Sequence, residues 1–142
     1  METNPESDGT TGILLIGHGS SLSHASKVIY GLAEEYKKKT EFPVEVGFMN
    51  MEKPTIPTAI NMLAKKGVTK IIAVPLFLAH GVHTKQDIPY MLGLGKGRDD
   101  AHYHQAKQEE IEFNGQIIYI DPLGADPRIA EIIGDRVEEA LK

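Results

Sequence analysis

The chain has 142 residues, of which 41% are hydrophobic, and a formal net charge of −5. That is enough for one well-cored domain and too little for two ordinary ones. An acidic balance with no basic stripe argues against a nucleic-acid partner, and a chain without cysteine has no disulfides, thiolate zinc sites or iron–sulfur clusters.

Residues 1–10, METNPESDGT, read as a flexible leader without the basic and apolar regions of a signal peptide. Residues 11–142 are expected to form the single domain. GILLIG (12–17) is a strand buried on both faces, followed by a helix from Ser23 to about Lys39 with Val28, Leu32 and Ala33 inward. PVEVGFM (43–49) is a second strand, and TIPTAINMLAKKG (55–67) a helix closed by Gly67. KIIAVPLF (70–77) is the third and most buried strand, tolerating Pro75 near its end. A helix is expected from Thr84 to Leu92. Residues 93–115 form a long polar connection, of the kind that is disordered or functional. QIIYI (116–120) is the fourth strand, and DPRIAEIIGDRVEEAL (126–141) a C-terminal amphipathic helix.

The alternation predicts a three-layer, flavodoxin-like α/β domain: a four-stranded parallel sheet with right-handed crossovers and helices on both faces. The longest apolar run, IIAVPLFLA, has nine residues and a proline, against roughly 20 needed to span a bilayer. A cytoplasmic protein with no membrane partner is expected.

Two short stretches carry the chemistry. In LLIGHGSS (14–21), His18 sits between two glycines just after the first strand, and in PLFLAHGVHTKQDIP (75–89), His80 and His83 follow the third. In open parallel sheets ligands bind beyond the carboxyl ends of the strands, where strand order reverses. For the order 2-1-3-4 that crevice lies between strands one and three, so all three histidines should line it. Each also has a structural alternative: His18 as a helix cap or turn residue, His80 and His83 as a surface turn. His24, one turn into the first helix, reads as a surface or packing residue.

GHGSS lacks the Lys-Ser/Thr of a P-loop and the spacing of a dinucleotide fingerprint, and no arginine directly precedes His18 as a phosphohistidine phosphatase would need. What remains is histidine and hydroxyl chemistry. A neutral imidazole ligates a divalent ion or accepts a proton, and a metal-insertion reaction needs both abilities.

Together GHGS after the first strand, PTIP after the second, VPLFLAHGVHTKQDIP at the third and PLGADPRI after the fourth resemble the small archaeal-type sirohydrochlorin chelatases, class II enzymes. The resemblance implies insertion of Co²⁺ or Ni²⁺ into a tetrapyrrole with release of two protons, for cobalamin or the nickel coenzyme of methanogenesis. It implies no cofactor beyond the substrate metal. It assigns His18 and His83 as the metal-ligating and proton-accepting pair, with His18 as the base, and brings Leu78, Ala79, His80, Gly81, Val82 and His83 against the macrocycle. His80 is expected to contact substrate or support a ligand rather than to be an obligatory ligand. Ser20 is an auxiliary candidate.

One departure follows the second strand. Where many relatives carry a glutamate, this chain has Asn50, with Glu52 two residues on and Lys53 before Pro54. Asn50 cannot act as a base. Either Glu52, which would share its strand face if the chain stays extended, takes that role or the two histidines suffice, and Lys53 either pairs with a peripheral carboxylate of the substrate or is a solvated loop charge. His102 and His104 match a remnant of a histidine-rich tract in some relatives, and their loop is read as a lid or solvated segment in preference to a metal-gathering one. Double-length relatives fuse two such domains around one cleft, so a homodimer is expected here. The rival readings are a non-enzymatic metal or tetrapyrrole carrier with the same pocket, and a flavodoxin-like signalling module, which would need a phosphate cradle or an acidic phosphoacceptor.

Overall fold

The computed structural model describes residues 10–94 and 110–142. The expected leader lies outside them except for Thr10, whose carbonyl accepts from Thr69 N at 2.7 Å and Lys70 N at 3.1 Å. His102 and His104 also lie outside the described residues.

Four strands, β1 (Thr11–Gly17), β2 (Val44–Phe48), β3 (Lys70–Pro75) and β4 (Gln116–Tyr119), pair in parallel in the order β2-β1-β3-β4. The strand order matches the flavodoxin-like expectation. β1 is buried along its whole length because strands flank it on both edges, which explains why it reads as an uninterrupted apolar run.

The helices are α1 (Ser23–Lys37), α2 (Ile56–Lys65), α3 (Ile88–Met91) and α4 (Pro127–Ala140). Thr55 caps α2 by accepting from Thr58 N, and a proline occupies its first turn. The apolar spacing of α2 then buries Ile56, Ala59, Ile60 and Leu63 against Leu14, Ile16, Ile71 and Ala73. On the other face α1 packs over Ile13, Leu15, Val44, Val46 and Phe48.

Two local expectations change. Val28 and Leu32 do not face inward; they are 61% and 48% exposed. α1 turns Ser26, Ile29, Ala33 and Tyr36 to the sheet instead. Gly17 admits the Ile29 side chain, which a Cβ there would meet at 3.0 Å, and with Ile29 and Tyr36 facing the sheet, Val28 and Leu32 are rotated outward. The helix expected over 84–92 is also broken. Its first part is a π-helical turn, His83–Asp87, in which Ile88 N donates to His83 O. Pro89 has no N–H for the α-helical bond at the next step, so it sits at the start of α3.

α4 buries none of its residues. Among the described residues no helix is long and apolar enough to cross a membrane.

Leu63 is fully buried between α2 and the sheet, whereas Val28 faces solvent. Leu63→Ala should cost about 2–5 kcal/mol of stability and Val28→Ala less than about 0.5 kcal/mol, both read from denaturant unfolding.

Candidate active site

β1 and β3 end side by side: Ile16 pairs with Pro75, and Leu76 N donates to Ile16 O at 2.9 Å. The residues that leave these strands therefore emerge at one edge of the sheet. The His18 turn is locked to the loop after β2, with Met49 N donating to Gly17 O at 3.0 Å and Asn50 N to His18 O at 3.2 Å. Gly19 has φ +91, and a Cβ there would collide with the Asn50 carbonyl oxygen. Only glycine fits both demands.

His18 Nδ1 lies 2.8 Å from Gly19 O. A carbonyl oxygen only accepts, so Nδ1 carries the proton and Nε2 keeps its lone pair. His83 reaches the same state by another route: its Nδ1 lies 2.8 Å from Asp87 Oδ2, and Asp87 is 2% exposed. The π-helical turn brings residues four apart over one another, and the carboxylate fixes the ring orientation and tautomer.

The two rings are 4.8 Å apart between centroids, at 72°. With metal–nitrogen bonds of about 2.1 Å, two imidazoles about 90–110° apart on one ion have centroids about 4.6–5.3 Å apart. The observed spacing falls in that window. The Phe77 ring lies 6.4 Å from the His18 ring between centroids, at 65°. Among the described residues there is no cluster of three His, Asp or Glu side chains able to hold a metal, so the pair supplies two donors and leaves further coordination positions to other atoms.

His80 is placed differently. Its Nδ1 is 3.0 Å from Thr84 Oγ1 and its Nε2 3.1 Å from Asp121 Oδ1. Both ring nitrogens are engaged, which suits a supporting group. Thr84 Oγ1 also accepts from Gly81 N at 2.7 Å, and the Tyr119 hydroxyl donates to Thr84 O at 2.8 Å. Burial, and then the Asp121 charge, push the Tyr119 phenol up to about 12, which keeps that donor protonated.

The other candidates surround this pair. Leu78, Ala79, Gly81 and Val82 are exposed on the loop after β3. Ser20 Oγ accepts from Leu22 N at 3.1 Å and shapes the entry to α1. Asn50 is exposed next to the His18 turn, but the chain does not stay extended beyond it. Met51 has φ 66 and Glu52 N donates to Asn50 O at 2.7 Å, so the backbone reverses and Glu52 shares no strand face with Asn50. Lys53 is exposed, with its carbonyl accepting from the Tyr30 hydroxyl at 3.3 Å. The residues not foreseen are Asp87, Thr84, Tyr119 and Asp121. His83 and Asp87 are four apart, a helical pairing distance, and that spacing was the available signal.

The profile of the CbiX family matches residues 12–140. The chain belongs to the CbiX family. The sirohydrochlorin cobaltochelatase of Methanothermobacter thermautotrophicus is 54% identical over 143 aligned positions, covering 99% of this chain and 100% of that protein. A CbiX protein from Marinobacter aquaeolei superposes with a TM-score of 0.68 at 29% identity, covering 92% of this chain and 97% of that one. The sirohydrochlorin chelatase SirB from Bacillus subtilis, solved with cobalt, gives a TM-score of 0.72 at 27% identity; 92% of this chain is covered but only 50% of SirB. This CbiX chain therefore spans about half of that structure.

Asp87→Asn preserves shape but removes the carboxylate acceptor and permits the other His83 tautomer. Co²⁺ affinity, measured by calorimetric titration, should fall by about 10–100-fold. Unchanged affinity would show that Asp87 does not set the state of the ring.

Proposed function

We propose that the chain is a sirohydrochlorin chelatase that inserts Co²⁺ or Ni²⁺ into the tetrapyrrole and releases two protons. The observation that carries this reading is the His18–His83 pair, with rings 4.8 Å apart and each Nδ1 committed to an acceptor. The name shared by the curated relatives points the same way.

Insertion exchanges two pyrrole N–H bonds for bonds to the ion, so a base beside the entering metal accelerates the reaction. His83 Nε2, held by buried Asp87, is suited to deliver the ion. His18 Nε2 takes a pyrrole proton, and because the ring is exposed it can pass that proton to water before receiving the second. Leu78 to Val82 lie against the macrocycle, whose flat apolar faces match the exposed Leu78 and Val82 side chains. Lys53 pairs with a peripheral carboxylate. Ser20, Asn50 and Glu52 are auxiliary: an amide cannot take a proton, so Asn50 orients rather than catalyses. His80 supports the loop through Thr84 and Asp121. The enzyme works in the cytoplasm as a homodimer.

Cobalt and nickel both accept imidazole nitrogen, so each is supplied in turn. Sirohydrochlorin mixed with the purified protein and either ion should show the spectrum of the metallated product at a rate above the protein-free reaction. Binding without turnover would identify a carrier. His18→Ala and His83→Ala should each lower the rate by at least about tenfold while leaving the fold intact, and near-wild-type rates in both would refute the site. Because the reaction needs neutral imidazole, the rate should rise as the pH is taken from acid to neutral. A flat profile from acid to neutral pH would contradict the role given to His18.

A further inference from the structure

The turn that carries His83 does not satisfy its own backbone. Within His83–Asp87 the hydrogen bonds reach five residues back, and Ile88 N donates to His83 O. The next bond in that register would join residue 89 N to Thr84 O, but residue 89 is proline and has no N–H. Thr84 is 1% exposed, so its carbonyl needs a donor from the protein. Tyr119 supplies one from β4, its hydroxyl donating to Thr84 O at 2.8 Å.

The same bond works against the competing register. In an α-helix Ile88 N would donate to Thr84 O, four residues back. With Tyr119 on that carbonyl, Ile88 N goes to His83 O instead. The Thr84 side chain is held too, its Oγ1 accepting from Gly81 N at 2.7 Å and lying 3.0 Å from His80 Nδ1. Tyr119 is itself firmly placed. It ends β4, lies opposite Ala73 of β3 and packs against the core beneath α2. Beyond it, Ile120 N donates to Ala73 O at 3.1 Å, Leu123 N to Phe77 O at 2.9 Å and Gly124 N to Leu78 O at 2.8 Å. The phenol, pushed up to about 12, keeps its proton throughout the range in which histidine titrates.

We propose that Tyr119 is a positioning residue for the metal site: its hydroxyl selects the π register of the turn, and that register sets His83 over Asp87. Slipping to the α register would turn His83 about the helix axis relative to buried Asp87 and disturb the 2.8 Å contact between Nδ1 and Oδ2. His83 would then lose the carboxylate that fixes its tautomer. The inference rests on His83 as a metal ligand, and Tyr119 acts through Thr84 and His83.

Tyr119→Phe removes the donor and keeps the ring. In metal-free protein labelled with ¹⁵N and ¹³C, couplings transmitted through hydrogen bonds should link Ile88 N to the His83 carbonyl carbon in the wild type and to the Thr84 carbonyl carbon in the variant. Co²⁺ affinity, measured by calorimetry, should fall by about tenfold, the lower end for a lost supporting group. Adding Pro89→Ala to Tyr119→Phe gives Thr84 O a backbone donor in the π register, so the double variant should regain the Ile88–His83 coupling and most of the lost affinity. A merely structural loss of packing at Tyr119 would not be repaired by a new N–H at residue 89. An Ile88–His83 coupling that survives in Tyr119→Phe would overturn the proposal, and so would a double variant that binds Co²⁺ as weakly as the single one. These readouts need no tetrapyrrole, so a protein that fails to insert metal leaves them standing, whereas unchanged Co²⁺ affinity in His83→Ala would strike the site itself.

Discussion

β1 lies beside β3 in parallel register from Thr11–Lys70 to Ile16–Pro75, and the site depends on that pairing. It is the central pair of the sheet, with β2 and β4 outside it, so hydrogen bonds and apolar layers on both sides hold its position. Whatever leaves the two strand ends must meet at the reversal of strand order. The turn Gly17–His18–Gly19 and the loop 76–83 leave there. Packing of Leu14, Ile16, Ile71 and Ala73 under α2 therefore supports the chemistry, although none of those side chains takes part in it.

Placing two imidazoles side by side is not sufficient, because an imidazole with its proton on the wrong nitrogen offers no lone pair. The fold settles this with two different acceptors. His18 is served by its own neighbouring carbonyl, which a glycine conformation at residue 19 turns towards the ring. His83 is served by a buried carboxylate. Burying Asp87 costs free energy unless its charge is matched by hydrogen bonds or a partner, and the His83 N–H supplies one. The neutral carbonyl leaves His18 the weaker of the two in ligand character. The carboxylate raises the donor strength of His83. The difference suits a division in which His83 holds the ion and His18 handles protons.

The sheet order and the meeting of His18 with His83 were legible in the sequence, because the βα alternation and the buried runs at 12–17 and 70–77 leave few ways to order four parallel strands. Asp87 was not. Its relation to His83 depends on the π-helical turn His83–Asp87 that precedes Pro89, a local detail that apolar periodicity does not report. Hydrophobicity alone places Val28 and Leu32 inward, but α1 is rotated so that Ser26, Ile29, Ala33 and Tyr36 meet the sheet. The extended path imagined for Glu52 failed because Met51 takes a left-handed backbone conformation. α4 was legible as an amphipathic helix, yet where it lies depends on the ties of Leu123 and Gly124 to the loop after β3.

The central claim is that His18 and His83 both carry their proton on Nδ1 and present Nε2 as a free donor. Long-range ¹H–¹⁵N correlation spectra of the metal-free protein, recorded at a pH where imidazole is neutral, read this directly from the nitrogen shifts and coupling patterns of each ring. Both rings should show a protonated Nδ1 and a pyridine-like Nε2, and adding Co²⁺ should broaden the Nε2 signals of these two rings first. A protonated Nε2 in either His18 or His83 would contradict the account.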